Sequence, residues 1–373
     1  MNAILQCLSQ IDSLVSYFKY HKTVENVIDK YKKKNCLTKS FKILIENLWP
    51  TSGNKYIKKK YLSKNSNNEY FIPEEFKEKI STMNPLFKGV QANDAKDLVN
   101  FIIMTLHEEL NKYKPIQAND NENISSDLEI DQSNQNLVLN DFITDFSKEN
   151  QSIISDKFIG VNHIITRCSK CLIDKHNFEA YFFLSFPLEE VRKYKLQLIL
   201  NQNNLNTNQI SQQNLNKIQL LQNNQVNIFD CFEYNQKPES FDGENAMYCD
   251  TCKKQLPSTY STYLYTAPQI LLIILNRGQG MQYKVKLEFY TELNLSNFIQ
   301  SRINNENILY DLIGVVTHIG ESGSSGHFIA TCKSPIDNLW YQYDDDLVFK
   351  IDNFTDQVIN NAMPYILFYQ KKP

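Results

Sequence analysis

Residues 325–332 read Ser325-Gly326-His327-Phe328-Ile329-Ala330-Thr331-Cys332, and residues 340–348 read Trp340-Tyr341-Gln342-Tyr343-Asp344-Asp345-Asp346-Leu347-Val348. In the first stretch a loop with Gly320, Gly323 and Gly326 runs into an alternation of apolar and polar residues, the pattern of a half-buried strand. The second is another strand, ending in carboxylates. Antiparallel pairing of the two brings an aspartate at the end of one beside the imidazole at the start of the other. A carboxylate there fixes the tautomer of the ring and stabilises its protonated form. A lone histidine at a strand start is ordinarily a satisfied surface or core residue. The glycine flank and the acid-ended partner give His327 instead the surroundings of a general base, on condition that a nucleophile stands nearby.

Composition narrows the class. With 373 residues, 42% of them hydrophobic, the chain is long enough for one large domain or two smaller ones. Its net charge of -3 and its scattered basic residues, clustered only at Lys32 to Lys34 and Lys58 to Lys60, argue against nucleic acid as a main partner. The longest apolar run, Ile270-Leu271-Leu272-Ile273-Ile274-Leu275, has the length of a buried strand and falls far short of the ~20 residues that cross a bilayer, so no membrane is expected. At the start, apolar residues at 4, 5, 8, 11, 14, 15 and 18 follow helical spacing and predict an amphipathic core helix, not a signal peptide. Four of the eight cysteines form two Cys-x-x-Cys pairs, which is no disulfide framework and fits a reducing, intracellular compartment, cytoplasmic and/or nuclear.

The first third is helical in pattern. Residues 91–111 carry apolar positions at 95, 98, 99, 102, 103 and 106, with Asp94 where an acidic side chain suits the helix dipole. From about residue 158 the pattern changes to short alternating strands. Residues 117–151 are acidic and polar, and in 201–227 seventeen of twenty-seven residues are Asn or Gln. Both stretches are expected to be mobile insertions, because neither buries enough apolar surface to offset its ordering entropy.

Cys168-Ser169-Lys170-Cys171 and Cys249-Asp250-Thr251-Cys252 each present two thiolates from a tight turn. Two such knuckles complete an all-cysteine tetrahedral site for structural Zn2+, with no position open for water. A redox role is the rival of any isolated Cys-x-x-Cys; two pairs, each beside alternating strands, favour the metal. His163 and His176 lie close in sequence as substitute ligands that the site does not need, and Cys36, Cys231 and Cys332 read as small buried hydrophobes.

In order along the chain, these segments resemble the ubiquitin-specific proteases (ubiquitin carboxyl-terminal hydrolases), papain-like cysteine peptidases. Met1-Asn2-Ala3-Ile4-Leu5-Gln6-Cys7-Leu8 is similar to the helix that follows the family's catalytic cysteine in its Gly-Asn-Thr-Cys-Tyr-Met-Asn signature. Lys88 to Ala95 resembles the family's Gln-Gln-Asp box. The two knuckles resemble its zinc-bearing fingers, Pro268 to Arg277 its central palm strand, and Tyr310 to His318, Gly326-His327-Phe328, Trp340 to Asp345 and Pro364 to Tyr369 its histidine box and last strand. Asn276 and Gly278 depart from the usual Lys and Phe.

The resemblance implies an α+β fold, a papain-like cysteine peptidase core with a helical thumb, a β palm and zinc-bearing β fingers. It implies a single catalytic domain over 1–373, with the thumb in 1–116, the insertion 117–151, and fingers and palm in 152–373. It implies His327 as general base, Asp344 as its orienter with Asp345 a second candidate, Asp94 and Tyr343 as substrate contacts, and Cys168, Cys171, Cys249 and Cys252 as zinc ligands. His318 is expected to be structural. Partners would be ubiquitin and ubiquitinated proteins, and the reaction hydrolysis of the isopeptide or peptide bond after ubiquitin's C-terminal glycine.

One part of the motif is missing. The family's nucleophile stands two residues before the methionine that is Met1 here, so the chain as written is expected to be truncated just after it and inactive. Cys7 is no substitute: it lies about 12 Å further along a helix at roughly 1.5 Å per residue, far from the N-terminus that lowers a thiol pKa. The alternative is a catalytically inactive, ubiquitin-binding pseudoenzyme.

Overall fold

In the computed structural model the apolar stripe at the start folds as two helices, Asn2–Ser9 and Asp12–Tyr20, in place of one. All seven stripe residues (Ile4, Leu5, Leu8, Ile11, Leu14, Val15 and Phe18) are buried. Each such side chain contributes about 2 kcal/mol, against roughly 0.5 kcal/mol for an exposed ion pair, so apolar burial and not surface charge anchors this end. The structure describes residues 1–31, 36–50, 71–89, 93–112, 135–205, 212–278, 280–301, 307–320, 326–360 and 363–373.

The chain forms two compact units. The first joins Met1–Lys112 to Ser152–Asp156 and Leu312–Tyr369. Its helix Ala95–Leu110 begins at Asp94, the N-cap, whose carboxylate accepts from the Lys96 N–H at 3.0 Å. Near the other end, Glu109 reaches across to the helix Leu37–Leu48. Its carboxylate accepts from the Leu37 and Thr38 amides at 2.9 and 2.7 Å, which satisfies donors that Cys36, at the N-cap, leaves open. The sheet of this unit runs, neighbour to neighbour, Leu347–Ile351, Trp340–Asp344, His327–Lys333, Leu309–Ile319, Pro364–Lys371.

Helix Asn2–Ser9 lies directly on those strands. Cys7 meets Cys332 with sulfurs 3.5 Å apart, and Gly314 permits the approach: a Cβ there would stand 3.2 Å from the Cys7 sulfur. Cys36, Cys231 and Cys332 are all buried.

The second unit comprises Tyr113–Gln151, Lys157–Asp311 and Gln370–Pro373. An antiparallel sheet runs Asp174–Tyr181, Gly160–Cys168, Ser258–Thr266, Glu239–Phe241. Ile270–Asn276 is the buried strand that the apolar run predicts, and it pairs in parallel with Leu184–Pro187.

Both stretches expected to be mobile carry helices, and each helix has a physical cause. Residues 117–134 lie outside the described residues, but Gln135–Glu149 is helical. Val138, Leu139 and Phe142 form one apolar stripe that packs on Val161, Phe178 and Tyr265. In the Asn/Gln tract, helix Leu188–Leu205 extends into it, Gln212–Gln222 is a second helix and Gln225–Asn227 a strand, with 206–211 outside the described residues. Its few apolar residues are well spent: Leu221 and Val226 are buried, and Lys217 pairs with the buried Asp230 at 2.8 Å. Composition averages over such stripes and hides them.

Candidate active site and cysteine cluster

Ala330 pairs with Tyr343 across the strands His327–Lys333 and Trp340–Asp344, which sets Asp344 diagonal to His327 on one face. The imidazole Nε2 lies 2.7 Å from Asp344 Oδ1 and 3.9 Å from Asp345 Oδ2. A carboxylate only accepts, so Nε2 carries the proton and the neutral ring keeps its lone pair on Nδ1. The ring is half-exposed, at 45%, and Asp345 sits in the turn with φ +51°, a conformation that Asp tolerates. Gly326 holds the start of the His327 strand close to its neighbour: a Cβ there would lie 2.4 Å from the Ile319 carbonyl oxygen and 2.5 Å from the buried His318 ring.

The first turn of the opening helix is tied to the same corner. Asn2 Nδ2 donates to the Asp345 carbonyl at 2.9 Å, and Gln10 Nε2 to the Tyr343 hydroxyl at 3.4 Å. Neither tie was foreseen from sequence, since nothing in a local pattern marks a contact more than 300 residues away. Tyr343, expected as a substrate contact, points to the face opposite Asp344, toward the helix, and burial pushes its phenol pKa up. Asp94, the other expected contact, has the Tyr365 hydroxyl 2.7 Å from each of its carboxylate oxygens and Lys96 Nζ at 3.3 Å. Cys7 is fully buried against Cys332, and burial drives its thiol pKa well above normal, the reverse of an activated nucleophile.

In the second unit the four expected sulfurs, of Cys168, Cys171, Cys249 and Cys252, lie within 4.8 Å of one another. Cys171 and Cys249 are 3.6 Å apart, close to the ~3.8 Å edge of a sulfur tetrahedron drawn at about 2.3 Å from a metal. The knuckles match each other in backbone, because the residue after each second cysteine, Leu172 or Lys253, is left-handed at φ 60° and 54°. Lys175, on the strand Asp174–Tyr181 that follows the first knuckle, pairs with Asp250 of the second at 2.7 Å. Backbone amides, that of Cys171 foremost, draw the Cys168 pKa down to about 7, whereas desolvation and the neighbouring sulfurs push Cys252 up to about 12. This donor set fits a soft four-coordinate cation, and the group could hold a metal ion. His163 and His176 take no part in it. They bond to each other at 2.9 Å, and His163 bonds Gln300 at 2.7 Å.

The model of one family, ubiquitin carboxyl-terminal hydrolase, matches residues 1–369. The chain belongs to that family. Among curated relatives, ubiquitin carboxyl-terminal hydrolase Usp2 of Drosophila melanogaster is 23% identical over 100% of this chain and 34% of its own length. Ubiquitin carboxyl-terminal hydrolase 2 of Bos taurus is 23% identical over 99% of this chain and 53% of its own. Ubiquitin carboxyl-terminal hydrolase 4 of the yeast Vanderwaltozyma polyspora is 25% identical over 100% and 40%. The chain thus spans between a third and about half of these proteins.

Among solved structures, the SAGA Ubp8/Sgf11/Sus1/Sgf73 DUB module bound to ubiquitin aldehyde is similar with a TM-score of 0.61 at 18% identity, covering 100% of this chain and 67% of that one. The same module bound to monoubiquitin gives 0.61 at 17%, covering 100% and 66%. The ubiquitin carboxyl-terminal hydrolase fold, α+β with a papain-like core, is therefore the fold of this chain. Among the described residues, no helix is long and apolar enough to cross a membrane.

Proposed function

We propose that this chain is a single catalytic domain of a cysteine-type deubiquitinase, which hydrolyses the isopeptide or peptide bond after the C-terminal glycine of ubiquitin. The observation that carries the proposal is the His327–Asp344 pair at 2.7 Å, at the corner where Asn2 fastens the first turn of the opening helix. A cysteine just ahead of that turn would stand at a helix N-terminus and near Nδ1 of His327. Both the dipole and the imidazole favour its thiolate there.

The nucleophile is accordingly assigned to a segment ahead of Met1. His327 takes the thiol proton at Nδ1, and the thiolate adds to the glycine carbonyl carbon. As the carbon–nitrogen bond breaks, the imidazolium returns the proton to the departing amine, and water then cleaves the thioester. Asp344 holds the ring and stabilises its charged form, Asp345 is the auxiliary acid, and Asp94 contributes to binding the basic tail of ubiquitin. The same reading makes Cys168, Cys171, Cys249 and Cys252 ligands of a structural Zn2+, which would tie together the knuckles of the fingers. Ubiquitin and ubiquitinated proteins are the proposed partners, in an intracellular setting that suits eight free cysteines.

The test compares the 373-residue chain with a version extended at its N-terminus by Gly-Asn-Thr-Cys-Tyr, each incubated with ubiquitin bearing a C-terminal electrophile. Adduct is expected with the extended version alone. An extended version that binds ubiquitin yet forms no adduct would establish a binding module without turnover. In the extended version, Gly326→Ala is expected to lower kcat/KM by about 100-fold, because its Cβ displaces the start of the His327 strand and misplacements of ~1 Å carry penalties of that order. Its urea midpoint, read alongside, should move far less than the rate.

A further inference from the structure

The strand Leu347–Ile351 ends its sheet, with Trp340–Asp344 as its only strand neighbour among the described residues. Three successive apolar residues on it are exposed: Leu347 at 50%, Val348 at 58% and Phe349 at 48%. Proteins ordinarily shorten, charge or cover such an edge, because its unpaired amides template further strands. The hairpin closes on the Asp344↔Leu347 pair, and bonded positions alternate from there, so Val348 and Lys350 turn their N–H and C=O groups away from the sheet.

The residues along this edge are complementary to themselves in reverse. In Asp346-Leu347-Val348-Phe349-Lys350, a two-fold axis through Val348 sets Asp346 opposite Lys350 of a second copy, Leu347 opposite Phe349, and Val348 opposite itself. The opposite-charge pair and the Leu347–Phe349 pair then each form twice, and the Val348 pair once on the axis. Moving the axis to Leu347 or Phe349 sets Val348 against Asp346 or Lys350 and loses that match. The axis at Val348 also uses its outward amides, and it places Leu347 and Phe349 at non-bonded positions, where cross-strand side chains approach most closely.

We propose that this edge is the seat of a two-fold homodimer, in which residues 346–350 of two copies, the last turn residue and the first four of the strand, pair antiparallel about Val348. A ribbon of five residues buries less than the roughly 1,200 Å² of stable interfaces, so the dimer is weak and dependent on concentration. Leu347 and Phe349 lie on the face of Asp344 and Gln342, their cross-strand partners, so association brings two His327–Asp344 pairs to one surface.

Sedimentation equilibrium of the chain over a wide concentration range tests it. Dimer is expected, with Asp346→Lys or Lys350→Asp each raising the dissociation constant by about tenfold, since two cross-strand ion pairs become repulsive. The double variant Asp346→Lys/Lys350→Asp should return to within about threefold of the parent, and Val348→Pro should abolish association. Unchanged melting temperatures for the exposed charge variants separate loss of pairing from loss of fold. A chain that stays monomeric throughout overturns the proposal, as does a dimer indifferent to the single reversals or not restored by the double one. Capture of an extended strand from another protein by a strictly monomeric chain would likewise assign the edge to that partner.

Discussion

His327→Ala, made in the version extended by Gly-Asn-Thr-Cys-Tyr, is expected to lower kcat/KM for a C-terminal fluorogenic ubiquitin substrate by about 10³- to 10⁴-fold with little change in ubiquitin affinity. That corresponds to roughly 4–5.5 kcal/mol of transition-state stabilisation. The ring is half-exposed and its bond to Asp344 lies at the rim of the sheet, so its removal leaves no cavity and no buried orphan. Loss of rate therefore reports chemistry and not unfolding. The two acids should separate by distance: Asp344 at 2.7 Å fixes the tautomer, whereas Asp345 at 3.9 Å is beyond hydrogen-bond reach. Asp344→Ala is expected to cost about 100-fold and Asp345→Ala less than about tenfold. Equal effects of the two, or a His327→Ala variant that retains its rate, would remove this histidine from the reaction.

The same residues show what could be read from the chain alone. His327 and Asp344 were legible because both lie at strand ends, and a strand's period of two places diagonal neighbours on one face once pairing is assumed. The cysteine cluster was legible because each knuckle is local and four thiols in two matching knuckles make one donor set. The opening helices were legible from period 3.6, although the break near Gln10 was not. What escaped is what sequence separation conceals. Asn2 holding the Asp345 carbonyl, Glu109 capping Leu37–Leu48 and Tyr365 on Asp94 are tertiary contacts between polar residues with no periodic signal. The direction of Tyr343 follows from alternation: its neighbour Asp344 faces the imidazole, which turns Tyr343 the other way, toward Gln10. The two ordered helices in polar stretches escaped because a few residues, Leu139 and Phe142 in one and Leu221 in the other, carry the burial for many.

Removal of the proposed zinc should have the largest effect on the second unit. In the chain without a cation, thiols held at about 7 for Cys168 and about 12 for Cys252 cannot all ionise near neutrality, because each new thiolate repels the others. A divalent ion held there would reverse that balance and bind all four as thiolates, so uptake at pH 7 is expected to release protons. Apparent binding energies for such sites run to about 10–16 kcal/mol, comparable with the roughly 5–15 kcal/mol that stabilises a whole domain. Chelation, or Cys171→Ser, is therefore expected to lower the melting temperature by about 10 °C or more and to expose the amides of Gly160–Cys168 and Ser258–Thr266 to hydrogen exchange. The knuckles close the ends of those two paired strands, where Cys168 lies opposite Ser258. Acid should mimic chelation: as pH falls, protons compete for the sulfurs, metal is released and stability declines, whereas raising the pH from neutrality should not release it. Helix Asn2–Ser9 and its contact with Cys332 belong to the first unit and should keep their protection throughout. A zinc analysis that finds no metal in the purified chain, together with a melting curve indifferent to chelator, would leave the four cysteines as plain thiols and the sheet dependent on its own strand pairing.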